Sequence, residues 1–302
     1  ENSELMNNSS RSNAGAVYNK SADAKIIATL FGINSAKNGG AVYNENTLTV
    51  IDSTFDGNGA TNSGGAIYNE GTLNVEATEG KKTRFYNNKA AHGGDIYNDN
   101  GIINFTGKGT IEIETGIAGT GEINKNETGT LIIRGENNDY AGKVIINNGK
   151  IILDKITETD SYLGGTTEIT ETGTLEYDLT VEENMVGIDA ISGNGIFRKK
   201  GDANLNLSGQ NNAFEGEMNI AKGNLNYTQS TNGSYFGGKT SIEAGATLNF
   251  TNTQDDKMQD LSGMGTFNKN GKGIAIITGN NANFIGITNL NEGTLKYAKT
   301  EE

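Results

Sequence analysis

Six letters, GGAVYN at 39–44, return as GGAIYN at 64–69 and GGDIYN at 93–98, with a looser AGAVYN at 14–19. The unit places Tyr18, Tyr43, Tyr68 and Tyr97 at intervals of 25, 25 and 29 residues. Phe-x-x-Asn units alternate with it in fixed phase: Phe31 with Asn34, Phe55 with Asn58, and Phe85 with Asn88. A chain that repeats itself at this spacing builds units that stack on their neighbours and need not divide into globules. A period near 25 is long enough for one three-sided turn of a parallel β-helix. It also suits a leucine-rich repeat, but the leucine-and-asparagine signature of that class is missing. Between the corners the residues alternate as strands do, Leu48 with Val50 and, one period later, Leu73 with Val75. Helix capping signals and long 3.6-residue patterns are absent. The reading is all-β: a parallel β-helix, or β-solenoid, of roughly 12 coils, which at about 4.8 Å each span roughly 60 Å.

Stacked coils explain the letters themselves. Coils pair in parallel, so identical side chains lie above one another, and stacked aromatic rings and Asn amides reinforce each other along the stack. Tyr18, Asn19, Tyr43, Asn44, Tyr68, Asn69, Tyr97 and Asn98 are therefore expected to form a structural ladder. The Gly pairs at 39–40, 64–65 and 93–94 give the corner its freedom and let neighbouring backbones approach. The motif reads as scaffold, and function is expected where the repeat is broken, as in the 29-residue step before Tyr97.

Composition sets limits. Hydrophobic residues make up 34% of the 302, Gly numbers 43, and the net charge is −13, a profile that leans towards disorder. The absence of Pro and the strand-like alternation argue the other way. No Cys is present, which removes disulfides and thiolate metal sites. No run of 18 apolar residues occurs, so no helical membrane span and no direct membrane insertion are expected. The acidic balance disfavours nucleic acid and anionic lipid as partners. The start, ENSELMNNSS, reads as processed or trimmed.

A longer unit follows. Gly119, Gly121, Gly135, Asn137, Tyr140, Gly142 and Gly149 recur as Gly193, Gly195, Gly209, Asn211, Phe214, Gly216 and Gly223, and again as Gly263, Gly265, Gly279, Asn281, Phe284, Gly286 and Gly293. Residues 1–118 thus carry the short repeat, and 119–302 carry three long ones (119–155, 193–228 and 263–298) continuous with it, each reading as about three coils. The pattern G-x-G-x-(F/I)-x-K … G-x-N-x-x-(Y/F)-x-G resembles the passenger-associated repeat of type V autotransporters. GGAIYN with FDGN and FYNN is similar to the repeats of polymorphic outer-membrane proteins. The resemblance implies a right-handed coil, display on a Gram-negative surface or secretion, and a C-terminal membrane β-barrel in the full-length protein.

Signals of catalytic chemistry are few. Acidic runs at 181–184 and 254–260 read as solvated loops rather than a glycosidase pair. The Gly-Asp-Ser motif of serine-protease and lipase passengers is absent. His92, the single histidine, reads as an exposed turn residue, and with no Cys a zinc site is excluded. Gly233–Thr240 spells the phosphate-loop pattern literally, but an alternating, strand-like segment follows it where a helix is required. No cofactor and no catalytic residue is assigned. The expected function is that of a non-enzymatic adhesin or rigid display scaffold, holding a host-cell or bacterial surface protein or glycan through its loops. The alternatives are a carbohydrate-active β-helix enzyme and a passive stalk for an upstream head. Candidate binding loops are 76–84, 156–162 and 251–260, the first basic at Lys81, Lys82 and Arg84.

Overall fold

A computed structural model of the protein describes residues 1–135, 137, 139–155, 163–185, 191–229, 231 and 233–298. Regular structure among these residues is all strand, and the strands pair in parallel as turns of a β-solenoid, about 12 in number. The chain divides into two compact units, Glu1–Leu153 with Thr159–Thr166, and Asp154–Glu158 with Thr167–Glu302.

In the first unit one face stacks the strands Ala24–Ile27, Thr47–Ile51, Thr72–Glu76, Ile102–Thr106 and Glu122–Lys125. Its inward column runs Leu48, Leu73, Ile103, Ile123, Val144, all fully buried. A second face stacks Leu30–Gly32, Thr54–Asp56, Lys82–Tyr86, Thr110–Ile113 and Thr130–Ile133. Its inward column begins with Phe31, Phe55 and Phe85, rings parallel and 4.7 Å apart, and continues as Ile113 and Ile133. The third face carries the GGAVYN strands Val17–Asn19, Val42–Asn44, Ile67–Asn69 and Ile96–Asn98, and ends with Ile117–Gly119. In-register pairing follows from the alternation: a slip of one residue would turn every inward side chain out to water.

A short fourth face interrupts this triangle. Ser35–Asn38 pairs with Gly59–Ser63, and Lys89 and His92 extend it by bridges to Gly59 and Ser63. On the third face Val42 pairs with Ile67, Ile67 with Ile96, and Ile96 with Ile117. The chain between them takes 25, then 29, then 21 residues. The long step accommodates the loop 77–81, and the short one marks the coil from which the fourth face is missing.

In the second unit Phe197 pairs with Met218, Met218 with Thr240 and Thr240 with Leu261, so a coil takes 21 or 22 residues. Phe267, the counterpart of Phe197 one long repeat later, pairs instead with Leu248, on the neighbouring face. The 70 residues from Gly193 to Gly263 therefore advance three coils and one face rather than three coils alone. Equivalent residues of these two repeats point in different directions.

Candidate functional site

The Tyr–Asn ladder is the most repeated feature of the first unit. The Tyr18, Tyr43, Tyr68 and Tyr97 rings stack with centroids 5.0, 4.8 and 5.2 Å apart. Each of the first three hydroxyls donates to a carboxylate of the next coil: Tyr18 to Glu45, Tyr43 to Glu70 at 2.5 Å, Tyr68 to Asp99 at 2.7 Å. Burial, reinforced by those carboxylates, raises the pKa of Tyr43 and Tyr68. Beside the rings Asn19 donates to Asn44, Asn44 to Asn69 and Asn69 to Asn98, each at 2.7 Å. The same amides also donate to backbone carbonyls, so little hydrogen-bonding capacity is left for a ligand. Asn69→Ala should lower stability by roughly 1–3 kcal/mol, because buried partners on both sides lose a bond. Chemical denaturation would read the loss, and an unchanged midpoint would show the amide column to be dispensable.

The basic segment is placed differently from its expected loop. Only 77–81 is loop; Lys82 and Arg84 lie in the strand Lys82–Tyr86, directed outward because Thr83 and Phe85 point in. Lys81 turns to Asp52 at 3.3 Å and pins the loop to the coil below. Lys82 and Arg84 share Glu112, at 2.7 and 3.0 Å. Burial opposes ionisation of Glu112, but the Lys82 bond and the two cations outweigh it and hold the carboxyl below its usual value. Arg84, Tyr86, Glu112, Glu114 and Arg134 line a cavity of about 250 Å³ along this face. The three basic residues thus make no single patch: Lys81 secures a loop, Arg84 lines the groove, and Lys82 reaches the groove's Glu112 from beside it.

Of the other candidate loops, 156–162 lies outside the described residues. The segment 251–260 is mostly not a loop, since the strand Asp256–Gly263 occupies its second half. The acidic runs are also not simply solvated. Glu183 is fully buried, and Asp256 accepts from the Tyr227 hydroxyl at 2.6 Å. Tyr235 and Phe236, inside the phosphate-loop look-alike, are buried core residues ahead of the strand Lys239–Ile242. Among the described residues no group of three or more His, Asp or Glu side chains is placed to hold a metal ion.

Sequence reasoning missed two features. The first is a set of buried lysines. Lys125, Lys199 and Lys269 share faces with Ile123, Phe197 and Phe267, and all three point inward. Each ammonium donates to three carbonyl oxygens: Asn126, Glu127 and Asn148 for Lys125; Lys200, Gly201 and Lys222 for Lys199; Asn270, Gly271 and Glu292 for Lys269. The left-handed residue two positions on (Glu127, Gly201 or Gly271) turns its carbonyl towards the amine. Burial holds the pKa of Lys125 and Lys199 down to about 8. Period-2 alternation from the preceding Ile or Phe was the available signal.

The second is the end of the fourth face. Asp95 stands where Ala16, Ala41 and Ala66 stand in the three earlier copies of the motif. It is fully buried, and its carboxylate accepts from Asn88 Nδ2 at 2.8 Å and from the backbone N–H groups of Glu114 and Thr115 at 2.8 and 2.7 Å. Burial pushes its pKa up against those bonds. The inner column Asn34, Asn58, Asn88, linked at 2.9 Å, ends on this carboxylate, which also fastens the short-cut from Glu114 to Ile117. Over the truncated face lies a cavity of about 490 Å³, walled by residues 87–91, Gly93, Gly94, Thr115, Ala118 and Asp139. His92, half exposed, has Nδ1 3.5 Å from the Asp139 carboxylate at its rim.

Residues 52–70 match the Chlamydia polymorphic membrane protein repeat, and residues 123–153, 197–226 and 267–296 match the passenger-associated-transport-repeat. The chain is similar to the Adhesin BmaC autotransporter of Brucella suis biovar 1 (strain 1330), at 28% identity over 138 residues. That alignment covers 40% of this chain and 4% of the relative, so the chain spans only a small part of that protein's length. No solved structure matches the chain. Each matched long repeat begins at or next to the inward Ile or Phe that precedes a carbonyl-capped lysine, and the matched short repeat contains one rung of the Tyr–Asn ladder. These repeats and the adhesin relative together support an autotransporter passenger domain, carried at the cell surface or secreted.

Proposed function

We propose that the chain acts as an adhesive display scaffold, non-enzymatic, which holds a protein or glycan of a host or bacterial surface. The observation that carries this reading is the contrast between two kinds of surface. The Tyr–Asn ladder, its amides buried between coils, consumes its own hydrogen-bonding groups, whereas Lys82, Arg84 and Arg134 gather around Glu112 and Glu114 at an outward-facing groove of a chain of net charge −13. Such a cluster of cations in an otherwise acidic chain offers an acidic ligand one place to pair. The adhesin in the relative's description supports the same reading. Export through an outer-membrane β-barrel belongs to this proposal.

The test is a glycan and matrix-protein array probed with the wild-type chain and with Lys82→Gln/Arg84→Gln. Both side chains are outward-facing, so the fold should persist. Binding to an acidic ligand should fall by about tenfold and should weaken with added salt. Equal binding by both proteins to every ligand on the array would assign the groove to the scaffold.

A further inference from the structure

We infer that the truncated fourth face is a docking site for an extended peptide, which joins it as one more parallel strand and carries a basic residue towards Asp139. This site is separate from the Lys82–Arg84 groove and does not depend on that groove binding anything.

Two successive coils differ in how their fourth face is bonded. In the coil ending at Asn69, four backbone groups of the fourth face point to the following coil, and all are bonded. The Asn58 carbonyl accepts from Lys89 N at 2.9 Å, and Ala60 N donates to the Lys89 carbonyl at 2.8 Å. The Asn62 carbonyl accepts from Ala91 N and His92 N at 3.1 Å, and Gly64 N donates to the His92 carbonyl at 3.0 Å. One coil later the equivalent groups are the Asn88 carbonyl, Ala90 N–H, the Ala91 carbonyl and Gly93 N–H. None of these four has a hydrogen-bond partner among the described residues. The chain has left for the third face by the short-cut that Asp95 fastens, and no strand of the next coil covers them.

What remains is an alternating row of acceptor, donor, acceptor and donor, the pattern by which a sheet edge receives another strand. Edges of this kind are usually blunted by charge or Pro or covered by a loop; here the row opens into the 490 Å³ cavity. Ala90, Ala91, Gly93 and Gly94 keep its floor small, so a peptide backbone can come within bonding distance. The Asp139 carboxylate, about two-thirds exposed, stands at the rim and selects a cationic side chain. A second strand edge is not needed, because the row supplies both donors and acceptors to one side of the incoming chain.

The experiment is fluorescence anisotropy with a labelled, end-blocked hexapeptide of alternating Thr and Val carrying one central Lys, against its Glu counterpart and a version N-methylated at alternate amides. Saturable binding is expected for the Lys peptide, about tenfold weaker for the Glu peptide, and lost on N-methylation. Asp139→Lys should reverse the Lys/Glu preference while leaving the melting curve unchanged, and Lys82→Gln/Arg84→Gln should bind the Lys peptide as the wild type does. Absence of saturable binding by the Lys peptide overturns the inference. So does equal binding of the N-methylated peptide, which would mean side-chain rather than backbone recognition, and so does concentration-dependent self-association that excludes peptide.

Discussion

Gly65→Ala should unfold the first unit or cost it about 4 kcal/mol or more, a loss in the range reserved for direct structural conflict. The reason is space. A Cβ at Gly65 falls inside van der Waals contact with the carbonyl oxygen of Gly94 and the backbone of Lys89, one coil above. Gly40 stands in the same relation to Gly65, and Gly15 to Gly40, so the second glycine of each pair forms a column in which backbone touches backbone. No side chain is available to rotate away, and the coils could only part, which would break the Asn ladder beside them. Gly80→Ala is the control. Gly80 has a left-handed backbone, φ 75°, but nothing lies within 4 Å of its Cβ position. Its cost should be about 1–2 kcal/mol, from the conformation alone. Denaturant titration followed by circular dichroism separates the two, and equal midpoints for the two variants would sink the packing argument.

The same contrast shows what could be read in the sequence. Spacing and alternation carry information along a strand and between identical rungs, so the coil and the stacking of its Tyr and Asn residues are legible from residues 14–98, whereas the short fourth face is not. Information that depends on the phase between unlike coils was not. The 70-residue long repeat looks like a whole number of coils until the register of Phe267 with Leu248 shows the extra face. The basic segment 76–84 looked like a single loop because an insertion lengthens that coil, yet Thr83 and Phe85 already alternate and return it to strand at Lys82. In the sequence Asp256 and Glu183 read as solvated because acidic residues usually are; their burial depends on partners far along the chain, such as the Tyr227 hydroxyl for Asp256.

Irregular spacing marks the broken step before Tyr97, and one letter within it signals a change of coil. GGDIYN differs from GGAIYN by a carboxylate in a fully buried position, and a buried acid needs donors. Those donors are Asn88 and the backbone of residues 114–115, that is, the end of one column and the start of the short-cut. The substitution therefore announces that the coil changes shape, although only the fold reveals the open strand edge that the change leaves behind.

Lys199→Met should destabilise the second unit by roughly 2–4 kcal/mol at neutral pH, with a deficit that grows as the pH rises. Methionine fills the volume of the stem but cannot donate, so the carbonyls of Lys200, Gly201 and Lys222 lose their partner at a buried position. The pH dependence follows from protons. Burial holds the folded-state pKa of Lys199 to about 8, below its ordinary value near 10.4 in the unfolded chain. Below pH 8 both states carry the proton and the difference between variant and wild type is flat. Between pH 8 and about 10.4 the unfolded wild type holds more protons than the folded one, so the wild type gains stability with pH, and the methionine variant lacks that gain. Groups common to both proteins cancel in the difference, which leaves position 199 as the source of the slope. Paired denaturant titrations from pH 7 to pH 10 measure it. A deficit that narrows over that range would mean that the three carbonyls hold the ammonium more strongly than burial opposes it, and the buried lysine would then act as a charged clamp rather than as a tolerated charge.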